Sequence, residues 1–122
     1  MLSEIGHLST AMEEDLYRLH AEVCRTLGHP TRLRIVYLLS QGKSTPGELA
    51  AAIGVSPANL SQHLAALRAA GLVEVAREGA RLRYRLASPE VARACETMRR
   101  VLLERLRRES SLLSLGEGAG LR

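Results

Sequence analysis

Apolar residues recur at helical spacing along most of the chain and change to strict alternation once, between Arg81 and Leu86. The helical stretches predict five helices, at about 11–27, 30–40, 46–53, 57–69 and 89–113. All four prolines stand where a helix begins, and three follow a capping residue: Thr45-Pro46, Ser56-Pro57 and Ser88-Pro89. Proline suits a first helical position because its missing N–H has no partner there anyway. Thr10 with Glu13 and Thr45 with Glu48 read as capping boxes. Gly28, Gly42, Gly54 and Gly71 follow the first four helices, the place of left-handed C-terminal caps.

The alternating run puts Leu82, Tyr84 and Leu86 on one face of a strand and Arg81, Arg83 and Arg85 on the other. Its partner is residues 72–77, reached through Glu78-Gly79-Ala80, where glycine permits a hairpin turn. The fold class is thus mainly α with a small β-hairpin: a single winged helix-turn-helix domain. Its parts are an N-terminal arm at 1–10, first and last helices at 11–27 and 89–113, the helix-turn-helix at 46–69, the wing at 72–87 and a flexible tail at 114–122.

Within 46–69, Leu49 and Ile53 anchor a bracing helix, and Leu60, Leu64 and Leu67 form the facing stripe of the next helix at i, i+4, i+7. Ser56, Ala58, Asn59, Ser61 and Gln62 are left near that second helix's N-terminal end, as small or amide side chains able to approach base edges. Their bland alternative is a solvated helix face. His63 has two readings, packing beside Leu60 and Leu64 or DNA contact. Arg77, Arg81 and Arg83 around the glycine turn suit a phosphate backbone or a minor groove.

Charge agrees with a polyanionic partner: 17 Lys and Arg face 13 Asp and Glu. Three tyrosines and no Phe or Trp leave little for stacking single-stranded bases, which favours duplex DNA. No stretch has the length of a membrane span and the N-terminus is acidic where a signal peptide is basic, so a cytoplasmic protein is expected, with no membrane partner. With no glycine-rich phosphate loop and no carboxylate or nucleophile at a recognisable spacing from the histidines, neither an enzyme nor a cofactor is expected.

Three segments, Leu27-Gly28-His29-Pro30-Thr31-Arg32-Leu33-Arg34-Ile35, Ser61-Gln62-His63-Leu64 and Leu67-Arg68-Ala69-Ala70-Gly71-Leu72-Val73, resemble the ArsR/SmtB transcriptional repressors. The resemblance covers residues 19–106. It implies a homodimer built on the first and last helices, which binds an inverted-repeat operator and leaves it when an inducer arrives. Leu16, His20, Val23 and Leu27, and Val91, Cys95, Met98, Leu102 and Leu106, form stripes that fit such an interface or a monomer core.

Metal sensors of that family commonly carry paired cysteines before the recognition helix or an aspartate-histidine set on the last helix. Residues 44–54 contain neither Cys nor His, and 89–113 contain no His. Cys24 and Cys95 remain as a candidate sensor for oxidants or reactive sulfur, with inert packing as the alternative. The family's dithiol sensors usually place their first cysteine on the second helix, where this chain has Tyr37. A third reading is a soft-metal site of His20, Cys24 and Cys95 for an arsenite-type ion. The rival to DNA binding is a winged-helix module that binds protein.

Overall fold

The structure is a computed structural model that describes residues 8–118, with 114–118 in backbone alone. Its elements run α1 (Thr10–Thr26), α2 (Pro30–Ser40), α3 (Pro46–Ile53), α4 (Pro57–Ala69), β1 (Val73–Glu78), β2 (Arg81–Leu86) and α5 (Pro89–Gly118). Five helices and one hairpin are the expected elements in the expected order. Part of the arm at 1–10 and of the tail at 114–122 lies outside the described residues.

The proline-marked starts are all used. Thr45 and Glu48 form the full capping box of α3, and Ser56 Oγ accepts the Asn59 N–H at 3.1 Å. At α1 the cap sits one residue earlier than expected. Ser9 accepts the Met12 N–H, so Thr10 is already helical and its predicted box with Glu13 does not form. Gly42, Gly54 and Gly71 have positive φ, but Gly28 does not. There α1 closes on a tight last turn, with the Gly28 N–H donating to the Arg25 carbonyl. A Cβ at Gly28 would lie 3.2 Å from that oxygen, a tight contact that the turn would have to relax by a few tenths of an ångström. The last helix runs to Gly118 rather than ending at Leu113. Ser110 and Ser111 are only mildly poor helix formers and no proline follows them, so they do not end the helix at Leu113.

The core is small and centred on α2, which packs against α3, α4, β2 and α5. Ile35 and Val36 from α2, Leu49 from α3, Leu60, Leu64 and Leu67 from α4, and Leu72 and Val73 entering the hairpin are its buried members. Burying each such side chain contributes about 1.5–3 kcal/mol. By contrast, α1 has no buried residue; only Val23 and Leu27 near its end rest on the core.

The hairpin pairs Val73 with Leu86 through Glu78 with Arg81, leaving a two-residue turn at Gly79 and Ala80. Gly79 has φ 62 and Ala80 does not share the positive sign, as in a type II′ turn. An isolated hairpin is marginal. This one is held at its edge by the Tyr84 N–H, which donates to the Ser44 carbonyl at 2.7 Å, and by Tyr84 and Leu86 packing on the core.

Candidate DNA interface

Helix α4 is fixed from one side. Leu60, Leu64 and Leu67 are at most 2% exposed, so the helix cannot roll without opening the core. Ala58, Asn59, Ser61 and Gln62 are all exposed on its other faces. Ser56 is exposed too, but its hydroxyl oxygen is engaged in the cap. Arg68, exposed in the last turn of α4, extends this surface. It lies far from the N-terminal end that usually meets bases, so position along the helix alone does not single it out.

His63 is half-buried, and its Nδ1 accepts a 3.0 Å hydrogen bond from Arg32 Nε. Its ring lies 5.9 Å from that of His29. Burial, then the Arg32 charge, then His29, push its pKa below the usual histidine range. Of its two readings, packing is the one its surroundings support.

The wing arginines divide by face. Cross-strand partners share a face in an antiparallel pair. Arg77, opposite Leu82, therefore lies on the side away from Arg81, Arg83 and Arg85, which share theirs with Glu74 and Glu78. Glu78 pairs with Arg83 at 2.8 Å, and Glu74 with Arg85 at 3.5 Å. Arg83 also donates to Ser44 Oγ at 2.8 Å, so it braces the wing against the α2–α3 loop. Among the described residues, Arg77 and Arg81 make no ion pair and are exposed. Ser44, the wing's anchor, carries no signal in the sequence, because its partner is 39 residues away.

Cys24 is exposed on α1, and Cys95 is half-buried on α5 against the core; both are free thiols. Burial pushes the Cys95 thiol up. Among the described residues no three His, Cys, Asp or Glu side chains converge as a metal site, so His20, Cys24 and Cys95 are not joined within one protomer. No described helix is long and apolar enough to cross a membrane.

The model of the family described as "Bacterial regulatory protein, arsR family" matches residues 29–75, from the cap of α2 into β1. The chain is 42% identical over 90 residues to the uncharacterized HTH-type transcriptional regulator Rv0081 of Mycobacterium tuberculosis, covering 73% of this chain and 79% of that protein. The crystal structure of Rv0081 superposes with a TM-score of 0.71 at 40% identity, covering 78% of this chain and 96% of that one. The HTH-type transcriptional regulator CmtR of Mycobacterium tuberculosis is 43% identical over 83 residues, covering 68% of this chain and 70% of CmtR. A solution structure of the homodimeric winged helix-turn-helix DNA-binding domain of Mb0332 from Mycobacterium bovis matches with a TM-score of 0.74 at 35% identity, covering 84% and 94%. These relatives are transcriptional regulators, not enzymes, and they share the winged helix-turn-helix fold. With its buried leucine stripe, exposed polar helix face and arginine-tipped wing on that common framework, the chain belongs to the arsR family of bacterial regulatory proteins.

Proposed function

We propose that the chain is a homodimeric cytoplasmic repressor that binds an inverted-repeat operator in duplex DNA. Ala58, Asn59, Ser61 and Gln62 read base edges, Ser56 presents the helix N-terminus to a phosphate, and Arg77 and Arg81 hold the backbone. The observation that carries this reading is α4 itself: a helix pinned by three buried leucines whose opposite side offers small and amide side chains. Amides can pair bidentately with adenine, and a helix N-terminus suits an anion. The homodimeric state of the Mb0332 domain supports the dimer.

The test is selection from a random duplex pool followed by titration. A repressor prefers one inverted repeat over random duplex by about 1000-fold or more, with affinity falling steeply as salt rises. Binding every sequence alike would favour the protein-interaction module instead.

Release by oxidants or reactive sulfur is assigned to the two cysteines, with Cys24 reacting first. Cys24 is exposed, whereas the raised pKa of Cys95 keeps it a thiol at neutral pH. Oxidant is expected to weaken operator binding and dithiothreitol to restore it; a Cys24→Ser/Cys95→Ser protein that responds like the parent overturns the assignment. A solved structure of CmtR is described as a cadmium metal-sensor. Cadmium or arsenite binding that requires both thiols would move the reading here to a soft-metal site shared between protomers.

A further inference from the structure

One guanidinium ties three helices together. Arg32, half-buried in the first turn of α2, donates from one terminal nitrogen to the Thr26 carbonyl at 3.0 Å, and from Nε to His63 Nδ1 at 3.0 Å. Thr26 ends α1, where carbonyls have no partner within the helix. His63 lies on α4, between the buried Leu60 and Leu64. A side chain from the intervening helix therefore links the end of α1 to the helix proposed to read DNA.

The link depends on the state of His63. A guanidinium only donates, so Nδ1 has to present a lone pair and the imidazole is neutral, with its proton on Nε2. Protonation would remove the acceptor and set a second cation at hydrogen-bond distance from Arg32. The charged or titratable groups facing His63 are Arg32 and His29 from the start of α2; α1 contributes the Thr26 carbonyl. None of these is an acid that would compensate the added charge.

The other helix in this link has little else to hold it. No residue of α1 is buried, and its attachment to the core consists of Val23 and Leu27. In a dimer that meets through α1, half-site spacing is set by where each recognition helix stands relative to that interface.

We propose that Arg32 is a positioning residue for operator binding: by bridging Thr26 and a neutral His63 it fixes α1 relative to the core-anchored α4, and protonation of His63 frees α1 from that position. This rests on the DNA-binding reading above.

Two measurements on the full chain test it. Without DNA, NMR titration from about pH 8 to about pH 4.5 spans the usual histidine range and the region below it, toward which burial and Arg32 move His63. The Thr26, Leu27 and Gly28 amides are expected to move with the midpoint of the His63 ring, and to stay still in His63→Asn, which keeps an acceptor near Nδ1 but does not titrate. Amides that ignore the His63 midpoint, or that move equally in His63→Asn through His29, overturn the bridge.

With DNA at constant ionic strength, the readout is the ratio of affinities for the selected duplex and a random one, which cancels the general gain in charge at low pH. That ratio is expected to fall about fivefold or more in the parent, a usual size for coupling between sites. It is expected to stay flat in His63→Asn, and to be low at both pH values in Arg32→Met. A parent ratio independent of pH, or an Arg32→Met protein that discriminates like the parent, overturns the proposal. Should Arg32→Met fail to melt cooperatively, the parent and His63→Asn profiles decide. Absence of any sequence preference at either pH would sink the DNA-binding reading itself, while the DNA-free titration still reports on the bridge.

Discussion

At His63, burial and the neighbouring Arg32 and His29 depress the pKa, which makes the residue a source of acid sensitivity in folding. Well above about pH 6.5 the ring is neutral in both the folded and unfolded chain and contributes no slope. Below that value the unfolded chain takes up a proton first, so stability falls as pH drops through the window between the unfolded and the lower folded pKa. Urea midpoints measured at about pH 7.5 and about pH 5.5 are expected to differ less in His63→Asn than in the parent. Glu48 acts lower on the scale. Hydrogen bonds from the Thr45 and Ser44 N–H groups, then from the Thr45 hydroxyl, hold its carboxyl at about 2. Its stabilisation is complete above the ordinary carboxylate range and is lost as pH falls from there through about 2. Glu48→Gln should flatten that acid limb of the stability curve. The two sites differed in legibility for a physical reason. The Thr45–Glu48 box is closed by residues three apart, and both partners are visible in one turn of sequence. The Arg32–His63 bond spans 31 positions and exists only because α2 and α4 are packed together.

At the scale of elements, the wing has separate paired and unpaired cations. Alternation in the sequence assigns Arg81, Arg83 and Arg85 to one face, but register decides what stands opposite them. That register brings Glu74 and Glu78 onto the same face. The neutralised arginines could not be told from the free ones before the pairing was known. Arg81→Ala is expected to weaken binding to all duplexes alike and to reduce the salt slope by about 1, as for loss of one phosphate contact. Arg85→Ala, removing an exposed ion pair at 3.5 Å, should leave affinity nearly unchanged. Arg83→Ala should act indirectly: freed from Ser44, the wing loses its brace, and hydrogen exchange at the Tyr84 amide should quicken. Equal salt slopes for the Arg81→Ala and Arg85→Ala proteins would contradict this division. In α4 the contrast is between anchor and reader. Leu64→Ala should cost about 2–5 kcal/mol in denaturant unfolding. Gln62→Ala should leave the unfolding midpoint near the parent's while shifting the preferred sequence.

For the whole molecule, the unresolved debt of the single chain is apolar surface. The stripes anticipated on the first and last helices each divide in two: Val23 and Leu27, like Val91 and Cys95, rest on the protomer's own core. The remainder faces outward. Leu16 and His20 on α1, and Met98, Leu102 and Leu106 on α5, are exposed, and Met12 and Leu19, outside the anticipated stripe, join them on α1; the apolar side chains among these are between 46% and 61% exposed. Helical spacing could not reveal this division, because a monomer core and a dimer seam leave the same pattern in sequence. Exposed apolar stripes on two helices are more than a small protomer ordinarily carries, and a two-fold interface would cover both on each chain. A substitution on the symmetry-related surface occurs twice per dimer, which doubles its effect on association. Leu102→Glu therefore should shift the protein toward monomers in sedimentation at micromolar concentration. Because Leu102 is already 47% exposed within the protomer, helical content should stay near the parent's. Operator affinity should drop at least about tenfold, since a monomer engages only one half-site. A Leu102→Glu protein that sediments as the parent does and keeps its operator affinity would remove α5 from the interface, leaving its outward leucines to face some other partner.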